Sequence, residues 1–84
     1  MGQKEKLIEK LKARPQTFTF DDAESLLRFF SYKRSNKGRI SGSRVMFISD
    51  THVPILLHKP HPRKELLEYQ VKQFIEILEQ EGLI

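Results

Sequence analysis

The residues best suited to chemistry lie between Tyr32 and Phe47. Lys33, Arg34, Lys37, Arg39 and Arg44 all fall in the first thirteen positions of that stretch. With Arg28 they make six basic residues, and no acidic residue stands between Glu24 and Asp50. Gly38 and Gly42, with Asn36, Ser41 and Ser43, give the middle of the stretch a turn composition. Apolar residues follow at once, as expected where a loop feeds a strand. Guanidinium and ammonium groups neutralise phosphates, and glycine lets the main chain approach them closely. The stretch therefore reads as a basic loop at a sheet edge, facing a polyanion. A solvated hairpin loop whose cations only aid solubility is the plainer reading.

Three histidines add acid–base capacity. His52 is expected near a turn and exposed. His58 is expected to end a strand. His61 sits between Pro60 and Pro62, beside Lys59, Arg63 and Lys64, in a stiff loop. Cleaving RNA without a metal needs a base for the 2′-hydroxyl and charge stabilisation for the phosphorane. Histidine can be that base. Arginine stays protonated and can only stabilise the oxyanion. A catalytic reading thus pairs Arg44 or its neighbours with His61 or His58. No histidine spacing suggests a metal site, and there is no Walker loop, nucleophile elbow or glycine fingerprint, so no cofactor is expected.

The elements that must hold these groups can be read in order. Gln3 to Arg14 carries Leu7, Ile8 and Leu11 on one stripe and reads as a short amphipathic helix that Pro15 stops. Thr19 with Asp22, or Asp21 with Glu24, has capping-box spacing; Thr19 is the preferred cap, since Phe18 is then placed to staple onto Ala23. The helix that follows runs to about Phe30, with Ala23, Leu26, Leu27 and Phe30 as its buried stripe. Strands are expected over 32–36, 44–49 and 52–58, with 37–43 as loop and Asp50-Thr51 as a tight turn. Pro54 implies an edge strand or a bulge. Val45 and Phe47 share one face of the middle strand, Met46 and Ile48 the other. A last helix over 65–81 repeats Leu67, Val71, Phe74, Ile75 and Leu78 at helical spacing and ends before Gly82. The expected fold is α+β: a three-stranded antiparallel sheet with helices on one side.

The chain has 84 residues, a net charge of +4, a sequence pI of about 9.6 and no cysteine. One compact core is expected, over 16–84, with 1–15 as a helical extension. Residues 1–14 carry five cations and two carboxylates, and residues 63–84 carry three cations and five carboxylates, so the charge is polarised along the chain. A phosphate-binding face in the middle fits better than a diffuse basic coat. The absence of cysteine excludes a disulfide framework and thiolate metal sites. No apolar run approaches a membrane span and no signal-peptide core is visible, so a cytoplasmic protein without membrane contact is expected.

The order helix, strand, Gly42-Ser43-x, strand, strand, Pro60-His61-Pro62-x-Lys64-Glu65-Leu66, helix, Glu81-Gly82-Leu83 resembles the HicA-type toxins of bacterial toxin–antitoxin pairs. The likeness spans residues 19 to 84. It implies a double-stranded-RNA-binding-domain-like fold (α-β-β-β-α) and metal-independent endoribonuclease activity on mRNA. It also implies a cognate HicB-type antitoxin that covers the active site. The family's catalytic histidine follows Gly-Ser, where this chain has Arg44. Ser31 stands where the family usually has glycine. Carried onto this sequence, the resemblance gives Arg44, His61 and Ser43 as catalytic candidates. Lys33, Arg34, Lys37, Arg39, Gly42, Lys59, Arg63 and Lys64 are the RNA-binding candidates. A non-catalytic RNA-binding module, and a protein-interaction domain docking on an acidic partner, remain open alternatives.

Overall fold

The computed structural model describes residues 2–35, 44–60 and 63–84. The loop expected at 37–43, and with it Lys37, Arg39, Gly42 and Ser43, lies outside the described residues, as does His61. Helix α1 (Gln3–Ala13) buries Leu11 completely and packs Leu7 and Ile8 against the core. Pro15 then opens a short 3-10 turn, Pro15–Thr17.

Thr19 caps α2 (Phe20–Phe29) as its spacing implied. Its Oγ1 accepts from the Asp22 amide at 3.0 Å, and Asp22 Oδ2 accepts from the Thr19 amide at 3.1 Å. Two otherwise orphaned amides are satisfied reciprocally. Lys10 Nζ reaches the same Asp22 oxygen at 2.6 Å, fixing α1 against the start of α2. Phe18, Phe20, Ala23, Leu26, Leu27 and Phe30 all enter the core.

At the far end of α2 the amides of Ser31 and Tyr32 donate to the Arg28 and Leu27 carbonyls, at 3.1 and 2.9 Å. This Schellman arrangement needs a left-handed residue, and Ser31 has φ +68°. Its Cβ is disfavoured there, whereas glycine adopts the conformation freely. Replacing Ser31 with glycine should raise stability by about 0.5–1 kcal/mol in urea unfolding. A loss instead would mean that the serine side chain, not the backbone angle, decides the position.

The sheet has the order β1-β2-β3, all neighbours antiparallel: β1 (Lys33–Arg34), β2 (Arg44–Ile48) and β3 (Ile55–His58). The register sets Phe47 opposite Ile55, Val45 opposite Leu57, Met46 opposite Leu56 and Arg44 opposite His58. Phe47, Ile55 and Leu57 are buried and Val45 packs against the core, so this face meets the helices. Leu56 and His58 are exposed, which makes Arg44, Met46, Leu56 and His58 the open face. Both faces of β2 had looked apolar; the buried partners on β3 decide between them.

Three boundaries differ from the sequence expectation. The first strand is only two residues long. The third begins at Ile55, not His52. Pro54 has no N–H for a ladder, and Thr51 N donates to Ser49 Oγ at 3.3 Å, so 49–54 is a turn. Helix α3 (Glu68–Gln80) starts three residues later than expected. The chain ahead of it is used for pairing instead: Leu66 N donates to Phe18 O at 2.9 Å, Phe20 N donates to Lys64 O at 3.2 Å, and Thr19 and Glu65 form a bridge. Val71, Phe74 and Leu78 of α3 fill the core, with Phe18 and Phe74 ring centroids 6.1 Å apart. Gly82, at φ +73°, ends the helix as expected.

His52 is not exposed. Its side chain is 25% accessible, Nδ1 lies 3.1 Å from Glu81 Oε1, and its ring stacks on Tyr32 at 6.3 Å. Tyr32 OH in turn donates to Val53 O at 2.6 Å. Burial, then the nearby Glu81 charge, raises the Tyr32 phenol above its ordinary range. This cluster pins the β2–β3 turn to the end of α3.

Candidate nucleic-acid interface

Directly opposite residues of an antiparallel pair project from the same face. Arg44 and His58 are such a pair, both exposed on the open face. Among the described residues Arg44 makes no ion pair. It is therefore a guanidinium available to an outside anion, beside an imidazole that can take or give a proton.

His58 is held by its backbone. Gln70 Nε2 donates to the His58 carbonyl at 2.7 Å, and Gln70 Oε1 accepts from the Leu67 amide at 2.8 Å. Gln70 is only 6% accessible, and it is the one polar residue buried among the described core positions. One amide side chain thus satisfies the start of α3 and the end of β3 together. Two clefts open on either side of this tether. The first is lined by Arg44, Leu56, His58, Tyr69, Gln73 and Ile77, among others. The second is lined by His58, Lys59, Pro60, Arg63 and Tyr69, among others. Tyr69 and His58 belong to both.

The other expected RNA-binding residues are distributed unequally. Lys33 is exposed on β1, opposite Ile48 and thus on the open face. Arg34 is committed elsewhere. Its Nε and Nη2 grip the two Glu24 carboxylate oxygens at 2.7 and 2.8 Å, and its guanidinium lies 5.8 Å from the Phe20 ring centre. Lys59 Nζ also sits over Phe20, at 5.7 Å. Arg63 donates from Nε to Glu65 O at 3.0 Å. Lys64 is exposed, while its carbonyl is used in the pairing with Phe20. The structure thus groups His58 with Arg44 in one cleft and with Lys59 and Arg63 in the other, whereas Arg34 is taken up by Glu24 over the same Phe20 ring that Lys59 meets.

Comparison of the chain with family models, with curated proteins and with solved structures gives no match. The site must therefore be read from its own chemistry. Among the described residues no group of three acidic, histidine or cysteine side chains could hold a metal ion. No helix among them is long and apolar enough to cross a membrane.

Sequence reasoning missed Gln70 and Tyr69. The signal for Gln70 was present. Residue 70 falls three positions after Leu67 and four before Phe74, on the apolar stripe, where a polar residue must find partners. Tyr69 carried no such signal, since its place beside His58 depends on how α3 docks on β3.

Two carboxylates of α2 titrate low. The hydrogen bond from Arg34, only partly opposed by burial, holds Glu24 below its ordinary range. Burial alone would push Asp22 up, but Lys10 and the Thr19 amide and hydroxyl outweigh it, so Asp22 also sits low. Both groups bind fewer protons folded than unfolded. Their contribution is complete above about pH 5 and falls as the pH drops through about 4 toward the lowered folded values. Urea unfolding between pH 7 and pH 3 should show this decline, and Glu24→Gln should flatten part of it. An equally steep decline in the variant would place the acid sensitivity elsewhere.

Proposed function

We propose that this chain is the toxin component of a HicA-type pair, an RNA-binding protein on a double-stranded-RNA-binding-domain-like fold that cleaves mRNA without a metal. The observation that carries the reading is the pairing of Arg44 with His58 on the open face of the sheet. Element order agrees with the fold: apart from α1, the chain runs helix, three antiparallel strands, helix.

The chemistry follows from those two side chains. A neutral His58 takes the proton from a ribose 2′-hydroxyl. The 2′-oxygen attacks the adjacent phosphorus, and the bond from phosphorus to the 5′-oxygen breaks, leaving a 2′,3′-cyclic phosphate. The departing 5′-oxygen takes up a proton, from His61 or Ser43 in this reading. Arg44 stands against the negative charge that grows on the non-bridging oxygens. Lys33, Lys59, Arg63 and Lys64 hold neighbouring phosphates, as would Lys37 and Arg39, with Gly42 allowing close approach.

A second reading has its own support. Met46 and Leu56 lie opposite each other at the centre of the open face, and Leu56 is 48% accessible. An apolar strip beside Arg44 suits a protein partner as well as RNA. A HicB-type antitoxin that neutralises the toxin by covering this face fits both readings.

Purified protein incubated with a long single-stranded RNA in EDTA tests the proposal. Cleavage by the parent, lost in Arg44→Ala and in His58→Ala, is the expected result. Cleavage that survives His58→Ala but not His61→Ala would move the base into the proline-bracketed loop. Salt-sensitive binding without cleavage would leave a non-catalytic RNA-binding module. Absence of binding would leave the protein-docking reading.

A further inference from the structure

Tyr69 has features that the proposed reading does not use. It is 56% accessible, the most exposed of the large apolar side chains among the described residues. Among those residues its side chain makes no hydrogen bond and meets no ring partner. Yet its position is well fixed. It precedes Gln70, whose side chain ties the first turn of α3 to the end of β3. It also borders both clefts, one leading to Arg44 and the other to Lys59 and Arg63.

From this placement we infer that Tyr69 is a stacking platform for one unpaired base, so that the site takes single-stranded rather than duplex RNA. The inference rests on the RNA-binding reading and names its substrate class. An exposed aromatic face flanked by cations on both sides is the arrangement that single-stranded nucleic acid requires. Phosphates are held by the cations, and the base between them lies on the ring. A base inside a duplex presents no free face, so duplex RNA is read instead through its phosphates, 2′-hydroxyls and shape. In-line attack by a 2′-oxygen also needs a nucleotide that can leave helical geometry. A base drawn onto Tyr69 beside His58 would supply one. Gln70 is the positioning residue, because it sets the distance between the ring and His58.

The test is direct because the chain has two tyrosines and no tryptophan, and Tyr32 is buried with its hydroxyl bonded. Binding of a short oligouridylate should quench the Tyr69 emission in the parent, and Tyr69→Phe should remove that quenching while keeping affinity within about twofold. Tyr69→Ala should weaken binding of the same oligomer by about 5- to 150-fold, the range for one stacked base. On an abasic oligomer of equal length, parent and Tyr69→Ala should bind alike. Circular dichroism melts confirm that each variant is folded.

Parent-like affinity of Tyr69→Ala for oligouridylate, while Arg44→Ala is weakened, would overturn the stacking role and leave RNA binding standing. So would an equal loss on the abasic oligomer, or tighter binding of duplex than of single strand by the parent. No binding of any RNA by the parent would overturn both.

Discussion

Replacing Phe74 with alanine should destabilise the domain by about 3–5 kcal/mol, the range for removing a buried aromatic ring. Phe74 is 1% accessible and packs against Phe18, which is fully buried. The Phe18 carbonyl in turn accepts from the Leu66 amide, just ahead of α3. The lost ring would therefore leave a cavity where α3 meets the segment that caps α2, and neither side can collapse into it easily. A chain of this length has a total stability of roughly 4–13 kcal/mol. The melting temperature should drop by about 12–40 °C. Thermal unfolding followed by circular dichroism measures this, with Phe74→Leu as a milder control. An unchanged melting temperature would mean that α3 docks through another face.

What the sequence revealed, and what it hid, divides by the range of the interactions. Thr19 and Asp22 are three residues apart, and their box is written in their spacing. The stripe of Ala23, Leu26, Leu27 and Phe30, and the glycine that ends α3, are equally local. The start of α3 was hidden because Lys64 and Leu66 spend their backbone groups on Phe20 and Phe18, some 45 residues earlier. Periodicity cannot register such a pairing. The start of β3 was hidden for a related reason. Val53 is β-branched and reads as strand, but His52 and Val53 are engaged with Glu81 and Tyr32 instead of a strand.

The same distinction governs the site. The cations of residues 28–44 are plain in the sequence, but their availability is not. Arg34 and Arg44 look alike in a basic run. One is taken by Glu24, ten residues away, and the other faces outward opposite His58. The carboxylate that neutralises Arg34 lies just ahead of the acid-free stretch, in α2. Folding brings α2 beside β1, so a run with no acid of its own acquires one.

That difference gives the second large expected effect. Arg44→Ala should lower RNA cleavage by about 10²–10³-fold if its guanidinium stabilises the phosphorane, the range for losing one oxyanion donor. Its RNA-binding curve should also lose slope, by about 0.7 in log K against log salt on a single strand. Stability should stay within about 0.5 kcal/mol, since the side chain is exposed and has no ion pair among the described residues. Arg34→Ala should behave in the opposite way. It removes a bidentate partner from Glu24, leaving only Arg28 at 3.4 Å, so it should lower stability by up to about 1 kcal/mol. Its salt slope should change little, because a guanidinium already neutralised by a carboxylate releases few counterions on meeting a phosphate. Cleavage rates, binding at several salt concentrations and urea unfolding, all on the two variants side by side, separate these roles. Equal slopes and equal rates in both would show that phosphate draws Arg34 away from Glu24. The basic run would then act as one undivided surface, and Arg44 would have no special place in the chemistry.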